Sequence, residues 1–249
     1  MSKFITTIYL IAFTCGFISC AKESNDTAAA NESGKGGSLA KFTIAGNYLY
    51  TVDENYLDAY DITNATAPVK TSSTFVGIFV ETIYPYKNRL FIGSRAGMFI
   101  YSIDTPSVPS LMGAASHVRS CDPVVANDSI AFVTLKGGSA CGPATSGLYI
   151  HDVKDLFNPV FKKLVEIENP EGLGIQDSTL YICNNAAGLK VYNITNPENP
   201  VEKRTINDGN YYKDVIPDGN LLICYVLAGI LLYDISDPEN PVRIKLITN

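Results

Sequence analysis

The stretch Ile230-Leu-Leu-Tyr-Asp-Ile-Ser-Asp-Pro-Glu-Asn-Pro-Val242 is one of five copies of a single motif. Its nearest copy is Leu189-Lys-Val-Tyr-Asn-Ile-Thr-Asn-Pro-Glu-Asn-Pro-Val201, and weaker copies run from Leu57 to Val69, Met98 to Ser110 and Leu148 to Val160. The closing prolines, Pro68, Pro109, Pro159, Pro200 and Pro241, are spaced by 41, 50, 41 and 41 residues. A period of about 40 residues, with each unit rich in strand formers, is the signature of a β-propeller array. The nine extra residues in the second spacing are an insertion in the third unit.

The columns of the motif explain its structure. Position one reads Leu57, Met98, Leu148, Leu189 and Ile230; position three reads Ala59, Ile100, Ile150, Val191 and Leu232. Position four reads Tyr60, Tyr101, His151, Tyr192 and Tyr233. Successive residues of a strand point to opposite faces. Apolar side chains therefore emerge on both faces, which suits a blade sandwiched between two neighbours. The tail Asp237-Pro238-Glu239-Asn240-Pro241 cannot continue a ladder, because proline has no N–H. Although acidic, it is turn chemistry repeated in every unit, not a calcium loop.

These units resemble the LVIVD-repeat family, whose repeats read much like GLxVYDISDPxNPV. The resemblance covers about residues 38–249 and is closest in the last two copies. It implies a propeller-type fold in exported or surface proteins and no established activity.

Each unit divides into four strands. In the last they are expected at Tyr212–Pro217, Leu221–Tyr225, Ile230–Ile235 and Val242–Thr248, separated by Asp218-Gly219-Asn220, Ala228-Gly229 and the proline tail. The same division places units at about 38–78, 79–118, 119–168, 169–209 and 210–249. The expectation is an all-β, five-bladed propeller of four-stranded antiparallel blades. No swapped strand locks the ring, so closure is expected from packing of the fifth blade on the first.

The amino terminus reads as a targeting segment, residues 1–19. Lys3 supplies the positive region, and the apolar run Phe4 to Phe17 is too short for a typical membrane span. It ends Phe17-Ile18-Ser19-Cys20, which looks like a bacterial lipobox; that resemblance implies cleavage before Cys20 and its lipidation. An ordinary signal peptide is the alternative. Residues 20–37 are small, polar and Gly/Ser-rich, the composition of a flexible linker. Lys22-Glu23 is similar to the surface-export signal of Bacteroidota lipoproteins. The expected address is therefore the outer membrane, lipid-anchored, at the cell surface, with a periplasm-facing location as the alternative. A formal charge of −6 with scattered Lys and Arg argues against nucleic acid as a partner.

Strand parity sorts the loops. Connections between first and second strands and between third and fourth strands share one side, with regular turns and the proline tails. Second-to-third loops and inter-blade links share the other, with the irregular sequence, including the blade 3 insertion. Function tends to sit on variable loops held by a rigid scaffold. This working face is nominated for a glycan, peptide or protein ligand, with Glu81, Arg95, Arg119, Asp122, Lys136, Asn184, Tyr211, Tyr212 and Asp214 as its candidate residues.

Catalytic chemistry is thinly represented. His151 occupies a tyrosine column and reads as core; His117 reads as a loop residue, so a histidine metal site is not expected. Glu81, Asp122, Glu171 and Asp214 lie near the starts of inner strands. Solvated charge is the favoured reading; a Ca²⁺ site or a glycosidase carboxylate pair are alternatives. Tyr56, Tyr211, Tyr212 and Tyr225 can stack on a ligand or simply fill strands. Gly97, Gly147, Gly188 and Gly229 recur before the third strand and mark a turn requirement, with Tyr56 in place of glycine in blade 1. No cofactor is expected. The favoured function is a non-catalytic binding module; a carbohydrate-active enzyme and a structural envelope scaffold are the alternatives.

Cysteines complete the reading. Cys183 and Cys224 are 41 residues apart, at the same site on adjacent blades, and are read as buried free thiols. Cys121 and Cys141 both fall on the working face of blade 3. Export places them in a disulfide-permissive compartment, and a Cys121–Cys141 disulfide is expected to pin the insertion beside the channel mouth.

Overall fold

The computed structural model describes residues 36–116, 123–137 and 145–248, all within one unit, Asn31–Asn249. Twenty strands form five separate four-stranded antiparallel sheets, each in sequential order. Blade 1 comprises β1 (Phe42–Ala45), β2 (Tyr48–Val52), β3 (Tyr56–Asp61) and β4 (Val69–Phe75). Blade 2 comprises β5 (Val80–Tyr86), β6 (Arg89–Ser94), β7 (Gly97–Ser102) and β8 (Ser110–Ser116). Blade 3 comprises β9 (Val124–Ala126), β10 (Ile130–Leu135), β11 (Gly147–Asp152) and β12 (Val160–Glu166). Blade 4 comprises β13 (Leu173–Gln176), β14 (Thr179–Cys183), β15 (Leu189–Asn193) and β16 (Val201–Ile206). Blade 5 comprises β17 (Tyr212–Asp218), β18 (Leu221–Val226), β19 (Gly229–Asp234) and β20 (Val242–Thr248). The expected all-β, five-bladed architecture is thus the observed one. Among the described residues there is no helix, and hence none long and apolar enough to cross a membrane.

Local chemistry repeats from blade to blade. Hairpins between first and second strands turn on residues of positive φ, namely Gly46, Lys87, Asp177 and Gly219, as tight two-residue turns demand. The motif's fifth residue folds the chain into the tail: Asp61, Asp152, Asn193 and Asp234 each accept from the amide two residues on, at 2.8–3.0 Å. A backbone turn follows in every blade, as in Asn240 N–H to the Asp237 carbonyl at 3.0 Å. The proline tails are therefore structural turns.

The recurring glycines have a sharper cause than a turn. A Cβ on Gly97, Gly147, Gly188 or Gly229 would lie 2.0–2.4 Å from a carbonyl oxygen of the neighbouring fourth strand. Gly188 and Gly229 also hold φ of 101° and 135°. Close approach of the outer strand, rather than the loop, fixes the residue.

Packing occurs between blades. Four hydrophobic cores join blades 1 and 2, 2 and 3, 3 and 4, and 4 and 5. Motif positions one and three always face the following blade. Leu57, Ala59, Met98, Ile100, Leu148, Ile150, Leu189 and Val191 are all 0% exposed, whereas Ile230 and Leu232 in blade 5 are half-buried. No core among the described residues joins blade 5 to blade 1. Phe42 and Ile44 on β1 are 62% and 46% exposed, and Tyr225 and Ile247 on blade 5 are 50% and 49% exposed. Among the described residues the expected packing of blade 5 on blade 1 is not seen: no core joins the two blades, and their facing side chains meet only at a seam.

The ring is instead tied at its hub. A turn closes from Ala40 N–H to the Gly37 carbonyl at 3.1 Å. Its Ser38 hydroxyl donates to Asp214 Oδ1 at 3.0 Å and accepts from Leu173 N–H at 2.8 Å. Ile83 N–H reaches the Ala40 carbonyl at 2.8 Å. One turn thus touches blades 2, 4 and 5 before the chain enters blade 1.

Cys183 and Cys224 are buried and unbridged. Their equivalence by residue number does not survive the register. Cys183 pairs with Leu189, at motif position one, but Cys224 pairs with Leu231, at position two. They point to opposite faces of their own blades and so into the same core, between blades 4 and 5.

Replacing Gly188 by Ala should cost about 2 kcal/mol or more, through a strained φ and a clash with the Ile206 carbonyl. Urea unfolding of the two proteins measures it; a loss under about 0.5 kcal/mol contradicts the close-approach account.

Candidate functional site

Three groups of side chains occupy the working face. The first spans blades 3, 4 and 5 and centres on Glu171, which precedes β13. Its backbone is fixed by Glu171 N–H to the Cys183 carbonyl at 2.8 Å and by the Thr134 hydroxyl donating to the Glu171 carbonyl at 2.6 Å. Lys136, at the end of β10, donates to Glu171 Oε1 at 3.1 Å, and Lys213 of β17 approaches the same oxygen at 3.5 Å. Lys213 also donates to Asn185 Oδ1 at 3.1 Å and lies 4.9 Å from the centre of the Tyr211 ring. Burial pushes the Glu171 carboxyl up, but hydrogen bonds from Asn185 and Lys136 and the two ammonium charges outweigh it and hold the group below its ordinary range. Lys136 and Lys213 thus converge on a single carboxylate oxygen.

The second group belongs to blade 2. Arg95 Nε lies 3.5 Å from Glu81 Oε1, and its guanidinium sits 4.1 Å from the centre of the Phe79 ring. Phe79 holds φ of 55°, unusual for a bulky residue, and is 45% exposed.

The third group is the hub. Asp214 accepts from the Ser38 hydroxyl, from Leu39 N–H at 3.3 Å and from Val215 N–H at 3.0 Å. Burial of the carboxyl outweighs these bonds and pushes its pKa up to about 6. Asp214 was nominated for the ligand-binding face and read as solvated charge at a strand end; the Gly37–Ala40 turn covers it instead. Gly37 and Ser38 are buried.

Two further nominated residues belong to packing. Tyr212 is fully buried, its hydroxyl 2.5 Å from that of Tyr233 and 3.1 Å from Asp208 Oδ1. Asn184 is buried, its N–H donating to the Gly188 carbonyl at 2.8 Å. Tyr211, Lys136, Arg95 and Glu81 stay accessible. Arg119, Asp122, His117, Cys20 and the expected Cys121–Cys141 pair lie outside the described residues. His151 is buried against Phe161, with ring centres 5.6 Å apart, as its tyrosine column implies. Among the described residues no group of three or more His, Cys, Asp or Glu is placed to hold a metal ion.

The sequence did not nominate Asn185. The run Asn184-Asn185-Ala186-Ala187-Gly188 was the available signal, since asparagine tolerates the left-handed region that Asn185 adopts at φ 49°. Nor did it nominate the lining of the channel on the hairpin side. Along the inner strands, a cavity of about 310 Å³ runs from Leu173 and Val215 to Tyr86, Gln176 and Pro217 beside the hairpin turns. It lies on the side away from the Glu171 cluster.

The fold and this face define a five-bladed propeller whose charged groups converge from successive blades. The LVIVD repeat model matches residues 36–74, which is the hub turn and most of blade 1. No curated protein matches the chain. Solved structures do. The computationally designed Ika8 protein aligns over 81% of this chain and 59% of its own, at 14% identity and a TM-score of 0.59. A protein from Lactobacillus plantarum aligns over 81% and 68%, at 10% identity and 0.60. AztD from Citrobacter koseri aligns over 85% and 65%, at 12% identity and 0.59. At such identities the likeness is one of fold. The chain spans about two thirds or less of the length of these three proteins.

Asp214 gives the hub a signed pH dependence. A carboxyl whose folded pKa lies above its unfolded value of 3.8 stabilises the fold progressively as pH falls from about 6 to about 4. Relative to Asp214→Asn, the wild type should gain about 1–2 kcal/mol between pH 7 and pH 5. Thermal melts of both proteins at the two values decide it; parallel behaviour removes the assignment.

Proposed function

We propose that this protein is a non-catalytic binding module, held at the outer membrane by lipidated Cys20 and presenting the Glu171 cluster to an acidic ligand. The lipobox-like end of the targeting segment and the polar linker after it support the anchor. Sharing of one Glu171 oxygen between Lys136 and Lys213 carries the reading of the site. A ligand carboxylate pairs with the two ammonium groups, and the exposed Tyr211 ring adds a stacking surface. An acidic glycan best fits a shallow face with one ring and several polar groups; an acidic peptide or protein is the competing outcome. Glu171 and Asp214 lend glycoside hydrolysis little support. Glu171 is held ionised by two lysines and Asp214 lies under the hub turn, so neither serves as an available acid.

Two experiments follow. A glycan array and a pull-down with the full chain should give binding to uronic-acid-bearing ligands that weakens at least tenfold in Lys136→Glu/Lys213→Glu. Unchanged binding in that variant moves the site elsewhere, and selective retention of proteins instead favours the peptide reading. For the anchor, metabolic labelling with a lipid precursor should mark the wild type and leave Cys20→Ala unlabelled; equal labelling defeats it.

A further inference from the structure

The channel cavity on the hairpin side is walled largely by backbone, and the direction of that backbone follows from the register. The pairs Tyr86–Arg89, Gln176–Thr179 and Asp218–Leu221 flank two-residue turns, where the paired residues exchange ladder hydrogen bonds. Bonded and non-bonded residues alternate along an antiparallel ladder. Counting back from the turns, Pro85, Ile175, Leu173, Pro217 and Val215 therefore direct their backbone groups away from the second strand and toward the axis, and all five line the cavity. Bonds made on that side agree. Leu173 N–H donates to the Ser38 hydroxyl at 2.8 Å and Val215 N–H to Asp214 Oδ1 at 3.0 Å. Ile83 N–H, in phase with Pro85, donates to the Ala40 carbonyl at 2.8 Å.

The carbonyls of these five residues meet at most one backbone N–H. Pro85 and Pro217 have none, those of Leu173 and Val215 are taken, and only that of Ile175 is left. Gln176 adds to the imbalance: its Nε2 donates to the Gly219 carbonyl at 2.7 Å, so what it can offer a ligand is its amide oxygen. The Tyr84 and Tyr86 hydroxyls bring one donor each and accept as well. An occupant must therefore bring donors of its own. Rings of carbonyls can replace the hydration shell of a cation. Divalent cations usually take carboxylate ligands as well, and among the described residues no charged side chain lines this cavity. Its volume of about 310 Å³ also far exceeds a bare ion. An ammonium group has three N–H donors and no acceptor, and Val125 and Ile216 offer an alkyl group an apolar wall. At the mouth, Asp128, Asp177 and Asp218 stand at the hairpin turns against Lys87 and, on β6, Arg89, a balance that favours a cation.

We infer that this cavity is a binding site for a small primary alkylammonium, its N–H groups on the axis-facing carbonyls of Pro85, Ile175 and Pro217 and its alkyl part against Val125 and Ile216. The site lies on the opposite side of the channel from the Glu171 cluster and stands or falls independently of it. The test is calorimetric titration of the full chain with n-butylammonium, with n-butyltrimethylammonium as the analogue that keeps the charge and lacks every N–H. The primary amine should bind saturably with one site per chain, and the trimethyl analogue at least tenfold more weakly. Pro217→Ala and Pro85→Ala each place an N–H on the axis, where it takes up a carbonyl and opposes the ammonium; each should weaken binding at least fivefold while thermal melts show a cooperative fold. Ile216→Trp, which fills the cavity from its wall, should act alike. Lys136→Glu/Lys213→Glu should bind as the wild type does. Absence of saturable binding, equal binding of the trimethyl analogue, binding unchanged in both proline variants, a matching loss in the lysine variant, or displacement by an equal concentration of potassium chloride, which marks an ion site instead, overturns the proposal.

Discussion

Every blade here depends on being covered from both sides. The motif strand places apolar residues on each face, so a single blade left in water would expose two hydrophobic surfaces. Stacking removes one face of each blade by the entrance face of the next, and four such interfaces bury positions one and three completely. An array of this kind has two ends by construction. Unless something joins them, the exit face of the last blade and the entrance face of the first remain uncovered, and that is the state of Ile247, Tyr225, Phe42 and Ile44.

The hub turn answers part of this problem and shapes the working face as a result. Ser38 joins blades 4 and 5 through a hydroxyl that donates to a carboxylate and accepts from a backbone amide. Its position brings Asp214 under cover, where desolvation raises its pKa despite three hydrogen bonds. Among the described residues the accessible charge beside it is that of Glu171 with its two lysines and of Glu81 with Arg95. The same turn separates the working side of the channel from the Tyr-lined cavity on the hairpin side. One small polar residue, outside every strand, thus decides which end of the axis is available.

The repeat was legible because its determinants are local. Alternation, the glycine before each third strand and the prolines of each tail act within a few residues, and the strands of blade 5 begin and end within a residue of where those signals place them. The cause of the glycine column was not legible, since it lies in the carbonyl of a strand about 18 residues further on. Nor was the fate of Tyr212, one residue from the accessible Tyr211: alternation separates a ring on the surface from one in the core, and the register there is broken by a bulge between Tyr212 and Asp214. Ser38 was read only as the first residue of the propeller, at the edge of a linker of like composition. Its role depends on Leu173 and Asp214, partners 135 and 176 residues away.

Cys183 and Cys224 show how far a period in residue number can be trusted. Blade 4 spends five residues, 184–188, between its second and third strands, while blade 5 spends two, 227 and 228. Counting 41 residues from one cysteine to the other ignores that difference. In a strand a one-residue offset reverses the face, so two positions read as repeats of each other become opposing walls of a single core. Burial pushes the Cys183 thiol well up, and the neighbouring Cys224 adds to the effect; burial does the same to Cys224. Both therefore stay neutral and act as small apolar filler between blades 4 and 5. Equivalence in such an array is a property of the hydrogen-bond register, and the chain number approximates it only where loop lengths agree.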